Sequence, residues 1–179
     1  MTSGFDPQSK TWLIPEGGAN PEGIWGCQQI YQEALIQNNN RHFDAVFIAQ
    51  GTTTTSLGIL AALPPSTQLF VVPVLKGFNS ISEMQALANL AQLNTLTNHL
   101  SFPFEQVTVL DQYHHGGYAK TSNKLMNFIN LFNQTNQFPI EPTYTGKALY
   151  ALSQELPKLQ PSIKNVLFIH TGGVHNPAS

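Results

Sequence analysis

The stretch "FDAVFIAQGTTTTSLGIL", residues 43–60, decides the fold. Its apolar run at 43–49 has the length of a buried strand, Gly51 permits a tight turn, and the residues from Ser56 onward open a helix. A strand that runs through a glycine turn into a helix is the βα unit of a parallel sheet. Four other apolar runs of strand length occur: "TWLIP" at 11–15, "QLFVVPVL" at 68–75, "QVTVL" at 106–110 and "NVLFIH" at 165–170. Helical patterns lie between them at 24–36, 56–63, 81–96, 123–132 and 145–156, the first with an apolar stripe of Ile24, Cys27, Tyr31 and Leu35. Continuous apolar strands that alternate with such helices predict an α/β fold: an open, mostly parallel, doubly wound sheet with helices on both faces. Residues 1–10 are expected to be an N-terminal tail, and residues 11–179 a single domain.

Composition narrows the function classes. The chain of 179 residues is 41% hydrophobic but only 10% charged, against about a quarter charged in an average soluble domain. A net charge of −2 without any Lys/Arg cluster argues against nucleic acid as a partner. No apolar run approaches the ~18 residues of a membrane span, and "MTSGFDPQSK" lacks the layout of a signal peptide. The single cysteine, Cys27, excludes an intrachain disulfide and is compatible with a reducing compartment, so a cytoplasmic protein is expected.

In doubly wound sheets the ligand lies beyond the carboxyl ends of the strands. The segments there read "PEGGANPEG", "QGTTTTS", "KGFNS", "DQYHHGGY" and "TGG". In the second, Gly51, Thr52, Thr53, Thr54 and Thr55 offer backbone amides, hydroxyls and the positive end of a helix dipole, a combination that surrounds phosphate without a cationic side chain. The same threonines also suit strand extension and helix capping, and local chemistry alone leaves the two readings level. "GTTTTSLG" lacks the Gly-Lys-Ser/Thr ending of a nucleoside-triphosphate P-loop.

The segments "LIPEGGANPEGIWGCQQIYQEAL", "GGYAK", "PTYTGKALYAL" and "VLFIHTGG", in this order around the threonine loop, resemble the 1-aminocyclopropane-1-carboxylate deaminase / D-cysteine desulfhydrase family. These are enzymes dependent on pyridoxal 5'-phosphate, of the tryptophan-synthase-β fold type. The resemblance runs from about Trp12 to Gly173 and covers the large-domain portion. It implies that Gly51, Thr52, Thr53, Thr54 and Thr55 wrap the cofactor phosphate, and that Thr171 sets a hydroxyl against the pyridine nitrogen. A neutral hydroxyl does not hold that nitrogen protonated, which makes the ring a weaker electron sink. Tyr144 and Tyr118 match two tyrosines that face the substrate, where a phenol can bind a carboxylate or pass a proton. Thr145 discriminates: the deaminases carry glutamate after the tyrosine, the desulfhydrases threonine. The implied substrate is a small amino acid such as D-cysteine, undergoing α,β-elimination.

The family also implies a lysine that holds the cofactor, in a smaller domain upstream of the part that this sequence resembles. Lys76, Lys120 and Lys147 lie near strand ends but do not match it, and surface or structural roles are expected of them. The expectation is thus a large-domain portion, inactive by itself and working as a homo-oligomer (dimer) or with a complementing chain that bears the small domain. A non-catalytic module that binds a phosphate ligand is the alternative. No metal site is expected: His114, His115, His170 and Asp111 supply ligand types, but adjacent histidines on an extended segment point to opposite sides. Cys27, on the buried stripe of its helix, reads as a core thiol.

Overall fold

The structure, a computed structural model, describes residues 4–93 and 102–173. The chain gathers into two compact units, interleaved along the sequence: Met1–Arg41, Thr52–Pro65 and Asn79–Phe104 form one, and His42–Gly51, Ser66–Phe78 and Glu105–Ser179 the other. One domain over 11–179 is the expectation from sequence.

The first unit opens with a hairpin. Strands β1 (Gly4–Asp6) and β2 (Thr11–Leu13) pair antiparallel, with Phe5 opposite Trp12. This corrects one expectation: "TWLIP" is not a buried strand of the parallel sheet. Trp12 and Ile14 are 72% and 73% exposed. Proximity explains the difference, because the tight connection at 7–10, with Lys10 at φ 54°, offers β2 a partner across four residues. Helix α1 (Pro21–Gln37) begins where proline at its first position and an Asn20 cap favour it, the side-chain Oδ1 of Asn20 accepting from the Gly23 amide at 2.6 Å. Of the apolar stripe, Ile24 and Tyr31 are buried and Cys27 is half-buried. Helix α2 (Thr54–Ala62) packs on α1 at Gly58, where a Cβ would stand 2.4 Å from that of Cys27 and 2.6 Å from the Ile24 carbonyl. Cys27 therefore serves the contact between the two helices. Helix α3 (Ser80–Leu93) completes the unit, and the expected continuation over 94–96 lies outside the described residues.

The second unit is the parallel sheet. Strands β3 (Ala45–Gln50), β4 (Gln68–Pro73), β5 (Val107–Val109) and β6 (Val166–Ile169) lie in the order β5-β4-β3-β6, all parallel. Every residue of β3 is buried, as the continuous apolar run at 43–49 requires. Phe47 stands level with Phe70 on one side and Phe168 on the other, and the Phe47 and Phe70 rings stack at 4.4 Å. Helix α5 (Thr145–Glu155) packs Ala148 and Ala151 against Phe47, Phe70 and Val72. Val46, Ile48, Leu69 and Val71, which alternate with that face, are also fully buried. Helix α4 (Asn123–Thr135), capped by Ser122, joins α5 through a small core of Leu125, Ile129 and Ile140.

Candidate active site

Sheet order determines where a ligand belongs. From β3 the chain steps to β4 and then β5 on one side, and later returns to place β6 on the other, so the direction of winding reverses between β3 and β6. The crevice at the carboxyl ends of those two strands is where open α/β sheets bind ligands. Gly51 leaves β3 there and Thr171 leaves β6 there.

Gly51 does not work as its turn position suggests. Its φ is not positive, and the left-handed residue of this bend is Thr53, at φ 63°. What Gly51 supplies is room: a Cβ at this position would stand 3.2 Å from Cε1 of Tyr144. Tyr144 in turn is held by a carboxylate that sequence reasoning missed. Glu141 accepts from the amides of Thr143 (2.6 Å), Tyr144 (2.6 Å) and Thr145 (2.8 Å), and its own amide donates to Thr145 Oγ1 at 3.0 Å. A carboxylate at the start of α5 satisfies amides that lack helical partners and meets the positive end of the dipole. An acidic residue four positions ahead of a threonine that opens a helix is the signal that could have revealed it. Thr145 itself is 1% exposed, and its hydroxyl is engaged with Glu141.

The "HTGG" turn closes onto the same carboxylate. Gly172 and Gly173 take φ of 128° and 78°, and a Cβ on Gly173 would strike Glu141 Cγ. His170 anchors the turn through Nε2 to the Pro139 carbonyl at 2.9 Å. Between these segments lies an open cavity of about 450 Å³ lined by Tyr118, Glu141, Thr143, Tyr144, Thr171, Gly172 and Gly173. Three of the residues singled out from sequence, Tyr118, Tyr144 and Thr171, thus come together, whereas Thr145 stands behind them. The Tyr118 ring meets that of Tyr144 edge to face at 6.1 Å.

The threonine loop continues into the first unit. Thr53 occupies the cap position of α2 in a left-handed conformation that is strained for a β-branched residue, and no side chain caps the helix. The Thr54 amide turns back to the Thr52 carbonyl at 2.8 Å, while among the described residues the Thr55 amide finds no acceptor. The loop holds no acidic residue between 51 and 56. Gly17, at φ 62°, lies so close to Thr52 that a Cβ would overlap its hydroxyl. Amide and hydroxyl donors at an uncapped helix start fit a phosphate group.

The other titratable groups are engaged locally. Lys147 is fully buried and its Nζ donates to the Gly117 carbonyl at 2.7 Å, so the surface role is excluded for it. Burial pushes its pKa down, with the Glu141 carboxylate opposing the shift. His115 donates or accepts at Ser122 Oγ (2.8 Å) and is held below its ordinary pKa by burial, then by the charges of Lys147 and His114. Among the described residues no three His, Cys, Asp or Glu side chains gather as a metal would need, and no helix is long and apolar enough to cross a membrane.

Comparison with known proteins agrees with this fold. The family described as "Pyridoxal-phosphate dependent enzyme" matches residues 6–172. A Pyrococcus furiosus protein with the provisional name 1-aminocyclopropane-1-carboxylate deaminase is 31% identical over 171 residues, 92% of this chain and 50% of that protein. A D-cysteine desulfhydrase of Yersinia pestis is 28% identical over 175 residues, 95% of this chain and 51% of that protein. The crystal structure of a homologue of 1-aminocyclopropane-1-carboxylate deaminase superposes with a TM-score of 0.76 at 24% identity, over 93% of this chain and 51% of that one, a likeness of fold. The chain spans about half the length of the curated relatives it matches. The sheet with its carboxyl-edge cavity, and the family match over nearly all of its length, place this chain in the pyridoxal-phosphate-dependent enzyme family.

Proposed function

We propose that this chain binds pyridoxal phosphate and presents Tyr144 and Tyr118 to a small amino acid, with α,β-elimination of a D-cysteine-like substrate favoured over opening of a cyclopropane ring. The observation that carries the reading is the cavity at the reversal point of the sheet, where Tyr118, Tyr144 and Thr171 converge. Gly51 and the donors of Thr52, Thr53, Thr54 and Thr55 would hold the phosphate, and the Thr171 hydroxyl would meet the ring nitrogen without protonating it. When bound, the cofactor supplies an electron-accepting ring. The Tyr144 phenol would hold or move a proton at the substrate, and Tyr118, 56% exposed, would close over the carboxylate. Thr145 would act through Tyr144: a threonine there can share Glu141 with the tyrosine's own amide, and a glutamate would set a second carboxylate against the first.

Turnover would require in addition a lysine that holds the cofactor, a position that Lys76, Lys120 and Lys147 do not match; a segment or chain beyond the described residues would provide it, in a homodimer or a complemented assembly. Absorbance titration of the 179-residue chain with pyridoxal phosphate tests the binding step. Saturable binding, weakened at least tenfold by Thr54→Val together with Thr55→Val, is expected. The absence of binding at millimolar cofactor would refute the reading. Release of sulfide from D-cysteine by the isolated chain with cofactor would refute the need for a further lysine.

A further inference from the structure

Lys147 makes a contact that the proposed chemistry does not use. It enters the second unit from the first turn of α5, is 0% exposed, and among the described residues has one acceptor, the Gly117 carbonyl at 2.7 Å. Among the described residues no carboxylate stands at ion-pair distance from Lys147. An unpaired ammonium in the interior is costly, and an apolar chain of the same length would fill the space with less penalty. The bond that it makes must therefore matter where Gly117 is.

Gly117 lies in a loop with little regular support. His115, Gly116, Gly117 and Ala119 all take positive φ, and Gly117, at 115°, is buried where a Cβ would stand 3.4 Å from that of Lys76. Its carbonyl already accepts from the Lys120 amide at 3.1 Å, and Lys147 completes the acceptor's capacity. The next residue is Tyr118, whose ring projects from this loop to the edge of Tyr144.

We propose that Lys147 is a positioning residue that holds the 114–120 loop through the Gly117 carbonyl and so sets Tyr118 against Tyr144. One turn of α5 then places both tyrosines: Tyr144 stands at its start, and Tyr118 is held three residues further on by the lysine. The assignment rests on the reading of the two tyrosines as substrate-facing for its purpose, but not for its test.

The test uses the full chain with 3-fluorotyrosine at its five tyrosines, the fluorine lines assigned by single Tyr→Phe changes. Lys147→Met should move the Tyr118 line toward its position in the unfolded chain, abolish the response of that line to Tyr144→Phe, and leave the Tyr31 line in place. Lys147→Cys in a Cys27→Ser background, aminoethylated before refolding to rebuild a lysine-length ammonium, should restore the Tyr118 line. A Tyr118 line that stays in place, or five lines that move together, would overturn the assignment and leave a merely structural lysine. If neither Lys147 variant folds, amide exchange in the unaltered chain decides: slow exchange at Lys120 and Gly117 supports the clamp, and exchange at the free-peptide rate overturns it. Pyridoxal phosphate takes no part in this readout, so its failure to bind would refute the proposed function and leave Lys147 untouched.

Discussion

Replacement of Glu141 by alanine should destabilise the chain more than any ordinary change at a half-buried loop residue. The carboxylate accepts from three successive amides, of Thr143, Tyr144 and Thr145, at 2.6 to 2.8 Å. Thr143 and Tyr144 are half-buried, and water can reach their amides once the carboxylate is gone, so each bond is worth about 1 kcal/mol. Thr145 is 1% exposed, and its orphaned amide would stay dry, at a cost of about 2 kcal/mol. The loss for Glu141→Ala is therefore about 4 kcal/mol, roughly twice the upper end for deletion of a single helix cap. Glu141→Gln keeps the shape and one carbonyl oxygen but turns an NH₂ group toward a donor, and should fall between alanine and the original. The measurement is urea unfolding followed by circular dichroism, with the m-value held as a check on the compactness of the two end states. A loss below about 1 kcal/mol for alanine at unchanged m would show that the amides find other partners, and would remove the physical basis for Glu141 as the organiser of the Tyr144 loop.

Two further outcomes follow from the geometry. Gly58→Ala places a methyl group 2.4 Å from Cys27 Cβ and 2.6 Å from the Ile24 carbonyl, so α1 and α2 must separate; a loss of about 1–3 kcal/mol in urea unfolding is expected, partly relieved by Cys27→Gly, and an unchanged midpoint would contradict the close packing. Asp44 accepts from the Asn165 and then the Lys164 amide, bonds that hold its carboxyl below the ordinary 3.8. A depressed carboxylate stabilises above its unfolded value and loses that contribution as pH falls through the folded one. The melting temperature should thus drop on acidification below about pH 4, and Asp44→Asn should flatten that part of the profile; identical acid profiles for the two proteins would refute the linkage.

Much of the architecture can be read from residues 43–60 and the later apolar runs. Strands buried on both faces leave no alternation of polar positions, and this pattern marks β3 and β4, the two central strands of the sheet. "TWLIP" carries the same signal with a different outcome, since an apolar triplet of that length pairs with whatever strand is nearest, and β1 is nearest. Among the site residues, Tyr118 and Thr171 lie in motifs at strand ends and Tyr144 in a motif at a helix start, and the three share one cavity.

Other features came only with the tertiary structure. Gly51 looks like a turn glycine but makes space for a ring that lies 93 positions later in the chain, a relation that the sequence neighbourhood does not encode. Glu141 and Lys147 resemble an ordinary loop acid and an ordinary helix lysine until their partners are seen, three amides for one and a glycine carbonyl for the other. Periodicity and turn chemistry are local, so they determine which segments become strands, helices and glycine bends. Which side chain satisfies a buried amide or carbonyl depends on how distant segments meet at the edge of the sheet, and that is a property of packing alone.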